Sequence, residues 1–322
     1  MLGRLRHLNV IATALVIGVL LLGVAVALPS LASAHTKIGR ASRNRSTQQI
    51  GQSAAAAPTT TIQATRPATA PVVPAPAPVL TTTAPPAPPP APVTHGPSSS
   101  SLPVYTGPTT ITSPTTISNV RITQPIEIRS AVVMRNVDIA ATGYSVVRVY
   151  GSLDISDFRI NGTGGPQNEG GLNGDNITAR NGEIFGVENG IVGGSNHLIE
   201  DVYIHDLAMV GSGHPDGVQY DGGNTNITLR RLRIAVNDTD TSAVMIDNFN
   251  GSSAGIVIQD CNLSGGGYTL YLEGQFNSST VGVTSITGTT FSGFGYGPVL
   301  RRGPITVGQQ TSNTSNSSAL TF

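Results

Sequence analysis

Two histidines and three aspartates stand close enough along this chain to do acid–base chemistry. His205 and His214 bracket a loop that ends in Pro215-Asp216, and Asp238 and Asp240 follow one repeat later. An imidazole and a carboxylate within reach of one substrate supply a general base and a general acid near neutral pH. The same groups could hold a metal, since carboxylates suit calcium and paired histidines suit a transition metal. A second set recurs downstream: Asp221, Asp247 and Glu273, spaced 26 and 26 residues apart. Stacked in register at about 4.8 Å, three acids repel and require calcium, an arginine or water between them. They are the expected metal ligands, with calcium the one cofactor the sequence suggests. Tyr203 and Arg233 share an outward row, and Gln219 and Tyr271 share another. An aromatic face can stack on a sugar ring, and a planar guanidinium matches a carboxylate. The bland reading is also open: Asp-Gly at 216–217 and 221–222 is ordinary turn chemistry.

What must position these residues is a repeat. The pattern apolar-x-apolar-polar-polar-apolar-x-apolar appears at Ile227 to Ile234, Ile256 to Leu263 and His197 to Ile204, and more loosely at Ile177 to Ile184. Earlier copies run from Leu153, Val132 and Thr115, and a later one ends at Phe291. Taking the last apolar residue as the mark gives positions 122, 139, 160, 184, 204, 234, 263 and 291. Alternation puts every second side chain on one face, and the polar pair in mid-pattern bends the chain at a corner. One coil cannot bury its own apolar face, so the coils must stack. Asn176, Asn196 and Asn226 occupy one slot before three coils, where their amides can bond along the stack. The expected architecture is all-β, a parallel β-helix of about eight coils. Arg180, Glu200, Arg230 and Gln259 form an outward row beside Asn181, Asp201, Arg231 and Asp260, read as register-holding ion pairs. Loops after the first strand of each coil should project from one edge and bring His205, Asp206, His214, Asp216, Asp238 and Asp240 together.

Residues 1–34 start with Arg4 and Arg6, continue through an apolar run from Leu8 to Leu28 and end in Ala32-Ser33-Ala34. This is the layout of a cleaved secretory signal, and the run is also long enough for an uncleaved anchor. The protein is expected outside the cytoplasm, secreted or held on the outer face of the membrane. Residues 35–109 form a linker; sixteen of the 22 prolines lie between Pro58 and Pro114, which favours extended polyproline II. The β domain is assigned to 110–303, and a Ser/Thr/Asn-rich tail to 304–322, read as loose apart from Leu320-Thr-Phe322, which could cap the last coil. Net charge is zero, so no nucleic-acid partner is expected. Cys261 is the single cysteine and Lys37 the single lysine. No internal disulfide can form, and Cys261 falls in an apolar slot. A monomer is expected.

The coil repeat, together with Gly211-Ser-Gly-His-Pro-Asp-Gly-Val-Gln219 and Asp221-Gly-Gly-Asn-Thr-Asn-Ile-Thr-Leu229, resembles the right-handed parallel β-helix proteins of the pectate-lyase superfamily over roughly residues 110 to 303. The resemblance implies a right-handed helix and a polysaccharide or cell-wall glycan as partner. Polygalacturonase-type members carry Asn-Thr-Asp, Asp-Asp and Gly-His-Gly on successive coils. The matching positions here read His214-Pro215-Asp216, Asn237-Asp238-Thr239-Asp240 and Gly265-Gly266-Gly267, the last without a histidine. Three functions stand as expectations. One is a lyase or epimerase on uronate glycans, with His205 or His214 moving the proton, Asp216 orienting it and Arg233 on the carboxylate. Another is a hydrolase using Asp216 with Asp238 or Asp240. The third is a non-catalytic, glycan-binding surface protein.

Overall fold

The computed structural model describes Gly96 and residues 101–163, 170–209, 213–238 and 240–322. The signal or anchor segment, almost all of the linker before residue 101, and loop residues 164–169, 210–212 and 239 lie outside the described residues. Among the described residues every regular element is a β-strand and there is no helix. They form a 14-stranded and a 9-stranded sheet, and the chain passes from one to the other through most of its length. All pairing is parallel except one pair at the C-terminus, Thr314–Ser315 with Ser318–Ala319. This topology is compatible with a β-solenoid.

The apolar marks become one column. Ile122, Ile139, Ile160, Ile184, Ile204, Ile234, Leu263 and Phe291 are register partners in successive strands of the larger sheet. None is more than 1% exposed. Burying a side chain of this size is worth about 1.5–3 kcal/mol, and each coil supplies the floor for the next. The column two residues earlier explains the loosest copy of the repeat. Phe158 pairs with Gly182, and a Cβ on Gly182 would fall 2.1 Å from the Phe158 ring. A large ring on one coil thus fills the space left empty on the next.

The mid-pattern corner is a backbone feature. Asn119, Asn136, Asp157, Asn181, Asp201, Arg231 and Asp260 all take φ between 52° and 55°. Asn and Asp tolerate this left-handed conformation best among residues with a side chain. Arg231 is the exception in type, and its Nε and Nη2 reach Asp201 of the preceding coil at 2.8 and 2.7 Å. A second left-handed position carries the asparagine ladder. The Asn196 amide donates to Asn176 Oδ1 at 2.9 Å, and the Asn226 amide to Asn196 Oδ1 at 3.0 Å.

The tail does not behave as its composition suggests. Ile305–Thr311 pairs along Val281–Thr287, and Thr314–Ser315 pairs with Thr290–Ser292. Phe322 packs edge-on against the core ring of Phe291 at 6.1 Å. Strand pairing therefore continues past Gly303 to the last residues. Most of these strand residues are half-buried or exposed, in keeping with their polar composition.

Candidate functional site

The residues singled out for chemistry divide between the two sheets. Tyr203, His205 and Arg233 belong to the larger sheet or its edge; Gln219, Tyr271, Asp221, Asp247 and Glu273 belong to the smaller sheet or its ends. The two sets do not share one strand row.

His205 directly follows the His197–Ile204 strand, and its amide donates to the Ile184 carbonyl at 3.1 Å. That places its ring beside Phe185 of the coil before. The two rings stack at 5.4 Å, and Tyr203 stacks on the other side of His205 at 4.0 Å. The Arg233 guanidinium lies 4.6 Å from the Tyr203 ring centre, and that of Arg159 lies 5.9 Å from Phe185. The result is a strip of planar groups across four coils: Arg159, Phe185, His205, Tyr203, Arg233. His205 Nδ1 is 2.8 Å from Asp206 Oδ2, and Nε2 is 3.0 Å from Glu183 Oε1. Both ring nitrogens thus face carboxylates rather than open solvent. Arg159 donates from Nε to Asp138 at 2.8 Å, which anchors that end of the strip.

The other acids have local partners. Asp216 is 3% exposed and accepts from the Ser242 amide at 2.7 Å and the Ser242 hydroxyl at 2.6 Å. Its own amide donates to Asn189 Oδ1 at 2.8 Å. Asp216 is therefore the middle of a buried polar stack, Asn189–Asp216–Ser242, that ties three coils together. Asp238 Oδ1 accepts from the Asp240 amide at 2.9 Å, which closes a turn. Asp238 also borders a cavity of 310 Å³ with Leu207, Met209, Pro215, Val236 and Asn237. His214 sits half-buried beside Pro215, and Asp240 is exposed.

Two of the three expected acids are register partners, Asp221 lies just past the end of its strand, and the charges are not left unrelieved. Asp247 pairs with Glu273, and Glu273 with Arg302. The Arg302 guanidinium is 3.0 Å from Glu273. Asp247 accepts from the Phe249 amide at 2.8 Å, and Asp221 accepts from Gln219 Nε2 at 2.9 Å. Arg302 supplies the neighbouring cation. Tyr271 is 8% exposed and packs edge-on against Tyr268 at 5.4 Å. Among the described residues no three His, Cys, Asp or Glu side chains come together as a metal-holding group.

Charge is concentrated elsewhere, on the outward row read as structural. Glu200 is 8% exposed and is met by Arg231, by Arg230 at 2.5 Å and by Arg180 at 3.6 Å. Burial pushes its carboxyl up, but hydrogen bonds and charge from Arg231 and Arg230 outweigh this and hold it below the usual range. His197, in an apolar slot, is buried between the Tyr220 hydroxyl at 2.9 Å and the Gly174 carbonyl at 2.8 Å. Burial lowers its basicity. Cys261 is a buried free thiol, pushed up to about 12 by burial.

Glu183, Phe185 and Arg159 escaped the sequence reading. The signal was present: Arg159, Glu183 and Tyr203 are the residues just before three successive apolar marks, so register alone places them side by side. The chain matches no family model, and no curated protein or solved structure matches it.

Proposed function

We propose that this chain is a right-handed parallel β-helix protein, akin to the pectate-lyase superfamily, that binds an acidic polysaccharide outside the cytoplasm. The observation that carries this reading is the strip Arg159–Phe185–His205–Tyr203–Arg233. The ring faces are taken up by one another and by the two guanidinium groups, so the strip offers a sugar chain a row of ring edges and the exposed Arg233 guanidinium, whose fork matches a carboxylate. Stacking of coils repeats the contact at strand spacing, as a linear polymer requires. Binding is favoured over turnover because Asp216, the acid expected to orient the base, is buried and committed to Ser242.

The test is affinity electrophoresis of the full chain in gels containing polygalacturonate or a neutral glucan. Retardation by the polyuronate alone, reduced by Arg233→Gln and Tyr203→Ala, supports the reading. Equal mobility in both gels refutes it. A lyase is the second reading, favoured by the Glu183–His205–Asp206 arrangement, in which a carboxylate orients an imidazole. Ultraviolet absorbance of the unsaturated product, lost in His205→Ala, would establish it.

A further inference from the structure

The smaller sheet carries a separate set of guanidinium and phenol groups near the start of the stack. Ile126–Ile128 pairs with Ser145–Val149 so that Glu127 lies beside Arg148. Ile126, Ile128, Val147 and Val149 are buried at 2% exposure or less, which leaves Glu127 and Arg148 on the outer face. The Arg148 guanidinium sits between two rings, 5.4 Å from the centre of Tyr144 and 5.1 Å from that of Tyr150. These rings are 57% and 52% exposed. Arg129 also lies over Tyr150, at 4.9 Å, and is ion-paired with Glu127. The one acid at this place is therefore already engaged. Among the described residues no carboxylate forms an ion pair with Arg148. A groove of 260 Å³ opens here, lined by Thr109, Thr110, Tyr144, Ser145 and Arg148 and also by Glu127, whose charge is met by Arg129. Ser145 keeps a buried Oγ with no hydrogen-bond partner.

We propose that this groove is a second ligand site, which takes a single carboxylate-bearing sugar residue such as a uronic acid. Three features point there. A guanidinium fixed between two rings presents its planar fork without further loss of rotamer freedom, and that fork matches a carboxylate. Tyr150 is occupied by Arg129 and Arg148, so the exposed Tyr144 ring at the groove offers the surface for the C–H side of a pyranose, and the threonine hydroxyls can bond ring hydroxyls. The volume lies below the roughly 300–1,000 Å³ of drug-sized pockets, which suits one ring rather than a chain. The strip on the larger sheet has the opposite character, long and open. A protein with both would hold a polymer along one sheet and a chain end or branch on the other. Two weak sites engaged on one polymer raise overall avidity by a factor of about 10²–10⁴ when the geometry permits.

The experiment follows the side-chain Nε–H NMR signals of Arg148 and Arg233 in the full chain, assigned with Arg148→Gln and Arg233→Gln. Galacturonic acid is titrated first, then galactose, then a peptide with the sequence of residues 84–95. The proposal expects the Arg148 signal to move with galacturonic acid alone, with at least a tenfold weaker response in Tyr144→Ala. It is overturned if galactose moves the signal equally, if only the proline-rich peptide moves it, or if nothing does. The Arg233 signal, titrated with polygalacturonate, reports on the strip independently, so either site can fail while the other stands.

Discussion

Glu200→Gln separates charge from shape at the most crowded ion pair in the molecule. The substitution keeps the size of the side chain and removes the charge that Arg180, Arg230 and Arg231 surround. Breaking a fully buried pair costs about 3–5 kcal/mol, and an exposed pair about 0.2–1 kcal/mol. Glu200 is nearly buried, but its three arginine partners are 36–42% exposed. Solvent screens them, and a loss of about 2 kcal/mol is expected between those limits. For a domain of this size that corresponds to a fall in Tm of about 4–8 °C. The pH dependence gives the sharper check. The folded Glu200 carboxyl lies below its unfolded value of about 4.3, so its contribution is complete above that value and disappears as pH falls through the folded one. Thermal melts of both proteins should differ by a constant amount from neutral pH down to about 5 and converge in stronger acid. Equal Tm values at neutral pH, or a gap that persists unchanged in acid, would refute the argument.

Gly182→Ala drives a methyl into the Phe158 ring and should cost about 3 kcal/mol in urea denaturation, at the upper end for overpacking. Asn196→Ala removes both rungs of the asparagine ladder at a left-handed position. It should lose about 2 kcal/mol, with Asn196→Gly recovering the backbone part, as chemical denaturation would show. Asp216→Ala leaves the buried Ser242 amide and hydroxyl without their acceptor and should lower stability by about 3 kcal/mol. The same melts would reveal a purely surface role for Asp216 by showing no change.

Much of the stacking was legible because one short pattern recurs, although the spacing between copies varies. The column from Ile122 to Phe291 and the ladder at Asn176, Asn196 and Asn226 both come from aligning the repeat, and both are present in register. The corner was expected from the polar pair, and the positive φ of its second residue is the backbone cause. Site residues were harder to read. Asp216 stands in a loop beside a histidine, where an acid looks available for chemistry. Its burial depends on Asn189 and Ser242, more than twenty residues away on either side. Glu183 was missed for the opposite reason: it lies within a strand, where surface acids are commonplace, and gains a partner only because His205 arrives one coil later. The tail misled through composition. Its polar slots belong to strands that pair with the coil before them.

The reversal of direction at Thr314–Ser315 and Ser318–Ala319 has a consequence beyond closing the domain. A stack of parallel strands ends in a ladder of open amides and carbonyls, a template on which another molecule's coil could grow. Beside Thr314–Ser315 one antiparallel strand presents the opposite polarity to an incoming coil and Phe322 packs on Phe291, while Gly297–Arg302 and Ile305–Thr311 keep an open outer edge among the described residues. Removal of residues 312–322 uncovers Phe291 and the outer edge of Thr290–Ser292 and is expected to raise end-to-end association above that of the intact chain. Sedimentation of the two forms side by side would show it.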